Sequence, residues 1–291
     1  MDEEVRLAEQ FEEHRARLRA VAYRVLGSVG EADDAVQEAW LRLRRRDAGE
    51  IDNLGGWLTT VVARICLNVL RSRRSHPEQP LEVHVPDPVI DRPDALEPEH
   101  EALLADAVGL ALMTVLQTLP PAERLALVLH DSFAVPFEEI AAIIDRTPAA
   151  TRQLASRARR KVQGTPTTPE PDRAHQREVV DAYFAASRRG DFEALVALLD
   201  PDVVLRSDTG RPDTSAVLRG AEPVASNALT FSSGAPWARP ALVNGAAGVV
   251  IAPHGRVVAV LAVTVADGRI VAIEALGDPV RLQQLDLSVL D

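Results

Sequence analysis

The stretch Pro136–Val162, PFEEIAAIIDRTPAATRQLASRARRKV, has the pattern of two short helices joined by a tight turn. Pro136 suits the first turn of a helix because its missing N–H would have no partner there. Thr147 followed by Pro148 is a favourable start for the second helix, since a threonine hydroxyl can cap free backbone N–H groups. An Asp-Arg pair between the two forms the turn. The pattern predicts a helix-turn-helix.

The second helix of this stretch has a narrow face of small residues and a wide polar face. The inner stripe consists of Thr151, Ala155, Ala158 and Val162. The outer face carries Arg152, Gln153, Ser156, Arg157 and Arg160. Arginine and glutamine can form paired hydrogen bonds to base edges, whereas serine suits phosphates. This arrangement is typical of a recognition helix that reads DNA. The alternative is a solvated basic helix in an all-α domain.

The charge distribution is local, although the whole chain of 291 residues is acidic, with a net charge of −11 at pH 7. Acidic residues are concentrated in residues 81–107 and in the C-terminal third. Basic residues cluster as RLRRR (42–46), RSRR (71–74) and RARRK (157–161). Because phosphate is attracted by local basic clusters, the negative total does not exclude nucleic acid.

The composition also predicts a compartment. The single cysteine, Cys66, excludes an internal disulfide and favours a reducing environment. The N-terminus MDEEVRLAEQ lacks the apolar core of a signal peptide, and the apolar run Val257–Ala266 is too short to span a membrane. The sequence therefore predicts a cytoplasmic protein with no membrane partner. No metal spacing, phosphate loop or nucleophile motif is visible, so no cofactor and no metal are expected.

The periodicity of apolar residues divides the chain into five parts. Helical spacing predicts all-α domains at both ends of an acidic, proline-rich segment that we expect to be an extended, solvated linker. After a second linker come two helices and then strands joined by His254-Gly255 and Asp267-Gly268, which are favourable hairpin dipeptides. The fold class is therefore multidomain, with two all-α domains and one α+β domain. The predicted boundaries are 1–75, 76–98, 99–163, 164–173 and 174–291.

Two separated stretches together resemble one family. The sequence GEADDAVQEAWLRL (30–43) followed by NLGGWLTTVVARICLNVLRSRR (53–74) resembles region 2 of a bacterial sigma factor. The stretch from Leu119 to Val162, which includes the helix-turn-helix, resembles region 4. Their order and spacing resemble the extracytoplasmic-function group over residues 1–164. The resemblance implies a protein that performs no bond chemistry and lends promoter specificity to core RNA polymerase.

The resemblance also implies partners for each stretch, namely the β′ clamp and β subunit of core polymerase and promoter DNA. Residues that match the clamp-binding motif are Asp33, Asp34, Gln37 and Glu38. Residues offered to the separated strand of the minus-ten element are Asp52, Asn53, Arg64, Asn68, Arg71, Arg73 and Arg74. The polar face of the recognition helix would read the minus-thirty-five duplex. Asn68 stands where the family usually has Asp, and Val69 stands where it often has Arg, which is expected to weaken DNA contact.

Residues 174–291 resemble SnoaL-like domains of the NTF2 superfamily through REVVDAYFAASRRGDFEALVALLDPDVVLRSD (177–208), which implies two helices and a curved sheet that closes a cone. Sigma factors with this extension form a subgroup that has a linker motif and an Asp-Gly-Gly-Gly-Arg motif. Partial matches here are Pro86, Asp87 and Pro88 in the linker and Asp208, Gly210 and Arg211 in the C-terminal domain. The resemblance implies a regulatory domain whose loop contacts the linker.

Two other functions stay open at this point. One is a ligand-responsive transcriptional regulator that uses the helix-turn-helix alone, and the other is an NTF2-like enzyme of polyketide-cyclase type fused to a DNA-binding arm. Proton-transfer candidates in the cone are Tyr183, Asp208, Asp213 and His254, although none has a partner visible in the sequence. A small-molecule ligand of the C-terminal pocket also stays open. The acidic residues Asp33, Asp34 and Glu38 favour the sigma factor, since a repressor has no use for a clamp-binding surface.

Overall fold

The computed structural model describes residues 2–46, 51–75, 83–92, 109–163 and 172–287. They belong to two compact units. The first contains Met1–Glu78, Glu101–Asp106 and Leu116–Gly164, and the second contains Gln79–His100, Ala107–Val115 and Thr165–Asp291. The predicted fold class, two all-α regions followed by an α+β domain, is confirmed. No helix in the described part of the chain is long and apolar enough to cross a membrane.

The helices of the sigma-like regions follow the predicted order. They are α1 (Asp2–Leu26), α2 (Val29–Leu43), α3 (Leu54–Ser75), α4 (Leu110–Gln117), α5 (Pro121–Leu127), a π-helical turn (Val128–Ser132), α6 (Phe137–Ile144) and α7 (Pro148–Gln163). Helix α4 begins in the second unit and ends in the first. The helix predicted from Glu99 onward falls for its first ten residues outside the described residues, as does most of the second predicted linker, residues 164–171.

The helix-turn-helix is confirmed between α6 and α7. Asp145 has a left-handed backbone (φ 58°) that ends α6, and the N–H of Arg146 donates to the carbonyl of Ala141 at 3.0 Å. The Thr147 hydroxyl accepts the N–H of Ala150 at 3.2 Å and so caps α7. The tight turn follows from these local bonds, because they satisfy groups that the two helix ends leave unpaired.

The first unit buries the small residues that the sequence assigned to its inner faces. Thr151, Ala155 and Ala158 of α7 are fully buried, whereas Val162, at the end of the same stripe, is half-exposed. The single thiol, Cys66, lies in the buried face of α3, and burial raises its pKa to about 12. It is therefore a packed core residue that stays protonated at neutral pH.

The second unit consists of one sheet with elements on both faces. Its elements are β1 (Ile90–Asp91), α8 (Arg173–Arg189), α9 (Phe192–Leu198), β2 (Leu199–Asp208), β3 (Ala216–Arg219), α10 (Ala221–Thr230), β4 (Ala238–Val243), β5 (Ala246–Ile251), β6 (Ala259–Ala266), β7 (Arg269–Leu276) and α11 (Pro279–Leu282). The strand order is β1-β4-β5-β6-β7-β2-β3, and β2 with β7 is the parallel pair.

Two tight hairpins set the register of this sheet. Asp267 and Gly268, at the predicted turn between β6 and β7, have φ values of 50° and 72°. Asn244 and Gly245, between β4 and β5, have φ values of 51° and 76°. Both pairs fit the turn with two left-handed residues, whose twist matches that of paired strands. The connection at His254 is longer than the two-residue turn that His254-Gly255 predicted, because β5 ends at Ile251 and β6 begins at Ala259.

The expectation of a solvated linker is wrong for residues 83–92. Val85, Val89 and Ile90 are buried, and β1 pairs with β4 through Ile90 opposite Val243. These residues join an apolar cluster on one face of the sheet, whereas α8 and α9 cover a separate cluster that contains Tyr183. The cause is local composition, since the apolar residues between the prolines suffice to cover an apolar strand edge. Residues 76–82 and 93–98 lie outside the described residues.

Gly248 in β5 offers a direct test of this sheet. A Cβ atom at Gly248 would lie 2.6 Å from the carbonyl oxygen of Leu261 and 2.6 Å from Cγ2 of Val243. We expect Gly248→Ala to lower the free energy of unfolding by about 1–3 kcal/mol, because the strands must move apart. Urea unfolding followed by circular dichroism measures the change. Gly30→Ala is the control, since no atom lies within 4 Å of its added Cβ; equal midpoints for both variants would contradict the predicted clash.

Candidate functional site

The acidic side of α2 is exposed because the helix turns its alanines inward, with Ala32, Ala35 and Ala39 buried. Asp33 accepts hydrogen bonds from Arg19 at 2.6 and 3.2 Å, and Glu38 accepts one from Arg42 at 3.0 Å. Asp34 and Gln37 are also exposed, and their side chains have no partner within the described part of the chain. All four predicted residues therefore lie on the solvent side, and Asp34 is the acid most available to a basic partner.

Helix α3 presents a polar stripe. Arg64, Asn68 and Arg71 are exposed and recur at intervals of four and three residues, which places them on one helix face. The cluster Val62, Ala63, Cys66, Leu67 and Leu70 occupies the buried side. The Nη2 atom of Arg64 donates to the carbonyl of Ala142 in α6 at 3.3 Å. The stripe has the charge and spacing of a nucleic-acid contact surface.

Other predicted minus-ten residues have structural contacts. Asn53 accepts the N–H of Gly56 at 3.0 Å through its side chain and so caps α3, while Asp52 is exposed beside it. Arg73 donates to the carbonyl of Leu26 at 3.1 Å and forms an ion pair with Glu31. Arg73 therefore caps the C-terminus of α1, and it is not part of the exposed stripe. The side chain of Arg74 lies outside the described residues.

The predicted recognition residues lie together on the outer face of α7. All of them are exposed: Arg152, Gln153, Ser156, Arg157 and Arg160. Arg152 donates to Glu138 at 2.7 Å and lies over the ring of Phe137, so α6 orients its guanidinium. Arg157 is 3.9 Å from Glu123. The exposed pair of Arg152 with Glu138 contributes about 0–1 kcal/mol, so it leaves Arg152 available to another anion, whereas Glu123 beside Arg157 is buried.

A buried arginine that the sequence analysis did not single out joins the two helical regions inside the first unit. Arg124 of α5 is 4% exposed, and its Nη1 donates to the carbonyl of Val25 at 2.9 Å. Its Nη2 donates to the carbonyl of Gln117. Burial lowers the pKa of Arg124 to about 9, and the charge of Arg73 adds to the effect. The C-terminal end of α1, which carries negative partial charge, favours a cation there.

In the second unit a second arginine holds the linker segment. Arg281 of α11 donates to Asp87 at 2.8 Å, to Asp208 at 2.8 Å and to the carbonyl of Val85 at 2.6 Å. Asp208 is 1% exposed and also accepts the N–H groups of Val85 at 3.1 Å and Gly210 at 3.0 Å. We call this set of residues the linker contact.

The linker contact keeps Asp208 ionised. Burial by itself would raise the pKa of Asp208. Hydrogen bonds from His84, whose Nδ1 is 3.3 Å away, and from the backbone of Gly210 and Val85, together with the charge of Arg281, lower it below its usual value. A buried carboxylate with this set of donors is a fixed anion and not a proton acceptor at neutral pH.

The predicted regulatory residues are brought together in part. Asp87 and Asp208 share Arg281, and Gly210 adopts a left-handed backbone with φ 75°. Pro86 and Pro88 are buried on either side of Asp87. Arg211, in contrast, is 73% exposed and lies 3.5 Å from Asp213. The cation of the linker contact is therefore Arg281, which sequence spacing could not reveal because it lies almost two hundred residues from Asp87.

The residues weighed as proton-transfer groups do not form one site. Tyr183 of α8 lies in the apolar cluster that this helix covers, and burial raises its pKa. His254 is exposed and lies against Trp237, with ring centroids 4.7 Å apart. Asp213 is exposed beside Arg211, and Asp208 is held by Arg281. Their separation gives no observation in favour of an enzyme.

Comparison with known proteins identifies two parts of the chain. The family described as "Sigma-70 region 2" matches residues 10–76, and "Sigma-70, region 4" matches residues 109–162. The chain is 39% identical over 286 residues to the ECF RNA polymerase sigma factor SigJ of Mycobacterium tuberculosis (H37Rv), a match that covers 93% of this chain and 91% of that protein.

Two further matches agree. The probable ECF RNA polymerase sigma factor SigI of Mycobacterium tuberculosis (CDC 1551 / Oshkosh) is 36% identical over 281 residues, which is 94% of this chain and 93% of that protein. The crystal structure of the extracytoplasmic function sigma factor SigJ of Mycobacterium tuberculosis has a TM-score of 0.78 and 35% identity. That match covers 96% of this chain and 99% of the other, so it includes the C-terminal α+β domain.

The linker contact predicts a large effect for Arg281→Gln. Removal of the guanidinium leaves the buried carboxylate of Asp208 without its cation, and we expect a loss of about 3–5 kcal/mol in the unfolding free energy. Arg211→Gln, an exposed residue of the same domain, should change it by less than about 0.5 kcal/mol. Urea titrations of both variants measure the difference, and equal losses in the two variants would contradict a special contribution of Arg281 to stability.

The difference in unfolding free energy between the parent protein and Arg281→Gln should depend on pH. Because the pKa of Asp208 is lowered in the folded state, its contribution to stability is complete above the unfolded value of about 3.9 and is lost as the pH falls further. The gap between the parent protein and Arg281→Gln should therefore narrow in acid. A gap that stays constant from neutral pH to below about pH 3 would contradict the ionised state of Asp208.

Proposed function

Since the chain belongs to the family of ECF RNA polymerase sigma factors, we propose that its exposed polar surfaces divide the tasks of such a factor and that its C-terminal domain controls them through the linker. Membership makes the chain a transcription initiation factor that binds core polymerase and promoter DNA. The observation that supports the regulatory part is the linker contact, where Arg281 joins Asp87 to Asp208. We also expect the protein to act in the cytoplasm, where it would meet the polymerase.

Helix α2 supplies the proposed polymerase surface. Asp34 and Gln37 are exposed without intramolecular side-chain partners in the described part of the chain, and Asp33 and Glu38 hold exposed arginines that a basic partner can replace. Acidic residues on a rigid helix suit a basic coiled coil, because complementary charge speeds association and fixes orientation. We assign this surface to the β′ clamp, with further contacts to the β subunit made by region 4.

Helices α3 and α7 supply the proposed promoter surfaces. The stripe of Arg64, Asn68 and Arg71 suits single-stranded DNA of the minus-ten element, and the outer face of α7 suits the major groove of the minus-thirty-five element. These elements lie about 25 base pairs apart, or about 85 Å along the duplex at 3.4 Å per base pair. In the first unit α3 contacts α5 and α6, so the two surfaces cannot reach both elements in this arrangement. Promoter binding therefore requires release of Arg124 from the carbonyl of Val25.

The linker between the two helical regions limits how far their promoter surfaces can separate. The 33 residues between Ser75 and Gly109 could span about 110 Å if fully extended. Residues 83–92 are instead held in the second unit by β1 and by the linker contact. While they are held, only the other 23 residues of this stretch can extend, and their reach falls to about 76 Å. The C-terminal domain would thus restrain initiation until the linker is released.

Asp34→Arg tests the polymerase surface. Charge reversal at the most available acid should reduce co-purification with core polymerase at least about tenfold, because one favourable contact becomes a repulsion. Glu9→Arg makes the same charge change on an exposed part of α1 and serves as the control. Equal retention of both variants on immobilised core polymerase, with unchanged circular dichroism, would remove α2 from the interface.

Run-off transcription tests the regulatory part. We expect Asp87→Asn, which weakens the bond from Arg281 to the linker, to raise promoter-dependent transcription about fivefold or more, in keeping with the coupling energies of about 1–3 kcal/mol usual for such controls. Asp213→Asn, an exposed residue outside the contact, should leave transcription unchanged. Unchanged or reduced transcription by Asp87→Asn at equal polymerase binding would contradict restraint by the linker.

A further inference from the structure

A cleft of about 690 Å³ opens in the second unit beside α11. Its volume is within the range of about 300–1,000 Å³ usual for small-molecule sites. The apolar part of the lining includes Val257, Leu282, Leu285 and Leu287. These side chains belong to the cluster that buries Val85 and Ile90 of the linker segment. The cleft is therefore on the linker side of the sheet, apart from the cluster that contains Tyr183.

Two arginines give the cleft its polarity. Arg239 of β4 and Arg256, in the loop before β6, both line it and are both exposed. Neither guanidinium has a hydrogen-bond or ion-pair partner among the described residues, and no carboxylate side chain is part of the described lining. Some arginines of this domain are neutralised by an acid, as Arg206 is by Glu274 and Arg281 by Asp208. The cleft thus combines apolar side chains with two cations that no acid of its described lining neutralises.

We propose that this cleft binds an amphipathic monocarboxylate, such as a medium-chain fatty acid. The planar guanidinium groups of Arg239 and Arg256 match the geometry of a carboxylate, which accepts paired hydrogen bonds. The apolar chain of the ligand would lie against Leu282, Leu285 and Leu287. Burial of the chain supplies the affinity and the two cations supply the selection for an anion.

The site is connected to the linker contact through the backbone. Leu282, which lines the cleft, directly follows Arg281, and both belong to the short helix α11. Gly277, also in the lining, donates its N–H to the carbonyl of Asp208 at 2.7 Å. A ligand in the cleft would therefore touch the elements that position the ion pair. The binding itself does not rest on the proposed function, and it is measured without polymerase or DNA.

Isothermal titration of the full chain with decanoate tests the site. We expect saturable binding of one decanoate per chain. Arg239→Gln combined with Arg256→Gln should weaken it at least about tenfold, because hydrogen bonds to charged groups are lost. The control is Arg219→Gln combined with Arg269→Gln, which removes two other exposed arginines of the same domain and should leave the affinity unchanged.

Three outcomes would overturn the proposal. They are the lack of saturable heat with decanoate, an equal loss of affinity in the two double variants, and equally strong binding of decylamine, which has the same chain and the opposite charge. Leu285→Asn provides a second variant at a half-buried position, and it should weaken decanoate at least threefold with unchanged circular dichroism. Undiminished binding by this variant would place the decanoate chain elsewhere and count against the cleft.

Discussion

The ion pair between Arg281 and Asp208 is the interaction on which the second unit depends. A carboxylate that is 1% exposed is stable only if donors and a cation surround it, and the same guanidinium reaches Asp87 and the carbonyl of Val85. One buried anion therefore recruits a proline-rich, acidic segment into an apolar cluster. That recruitment explains why the chain divides into two units through its middle and not at the start of the C-terminal domain.

In the first unit, the buried Arg124 and the exposed arginines contribute differently to stability. Exposed pairs such as Arg19 with Asp33 and Arg152 with Glu138 are worth little, so a polymerase subunit or a phosphate can replace one partner at small cost. Arg124 is buried and donates to Val25 at the end of α1, so withdrawal of this bond leaves carbonyl and guanidinium groups to be solvated anew. Replacement of an ion-pair partner at the proposed binding surfaces therefore requires little free energy, whereas separation of the two helical regions requires more. This difference supports the proposal that the two helical regions separate only when a partner supplies the free energy.

Sequence reasoning reached the parts of the molecule that local patterns encode. The turn at Asp145, the cap at Thr147 and the hairpin at Asp267-Gly268 all depend on residues within four positions of one another. It missed β4, because Pro240 interrupts the strand pattern there. It also missed the turn at Asn244, whose side chain accepts the N–H of Val89. It named Arg211 as a regulatory residue because Arg211 matches part of a motif that begins at Asp208, whereas the cation that contacts Asp208 is Arg281. The exposed stripe of α3 was predicted in part. Arg73 does not belong to this stripe, because its side chain caps the C-terminus of α1.

Because Cys66 is buried, distances within the first unit can be measured with dyes attached to introduced cysteines. Its thiol is fully buried and protonated at neutral pH, so it reacts poorly with maleimides. Cysteines introduced at exposed sites, for example at Arg71 on α3 and Arg160 on α7, would be the reactive thiols, and the native cysteine could stay in place. A donor and an acceptor dye on these two helices would then follow the distance between the two proposed promoter surfaces in single molecules, before and after polymerase is added.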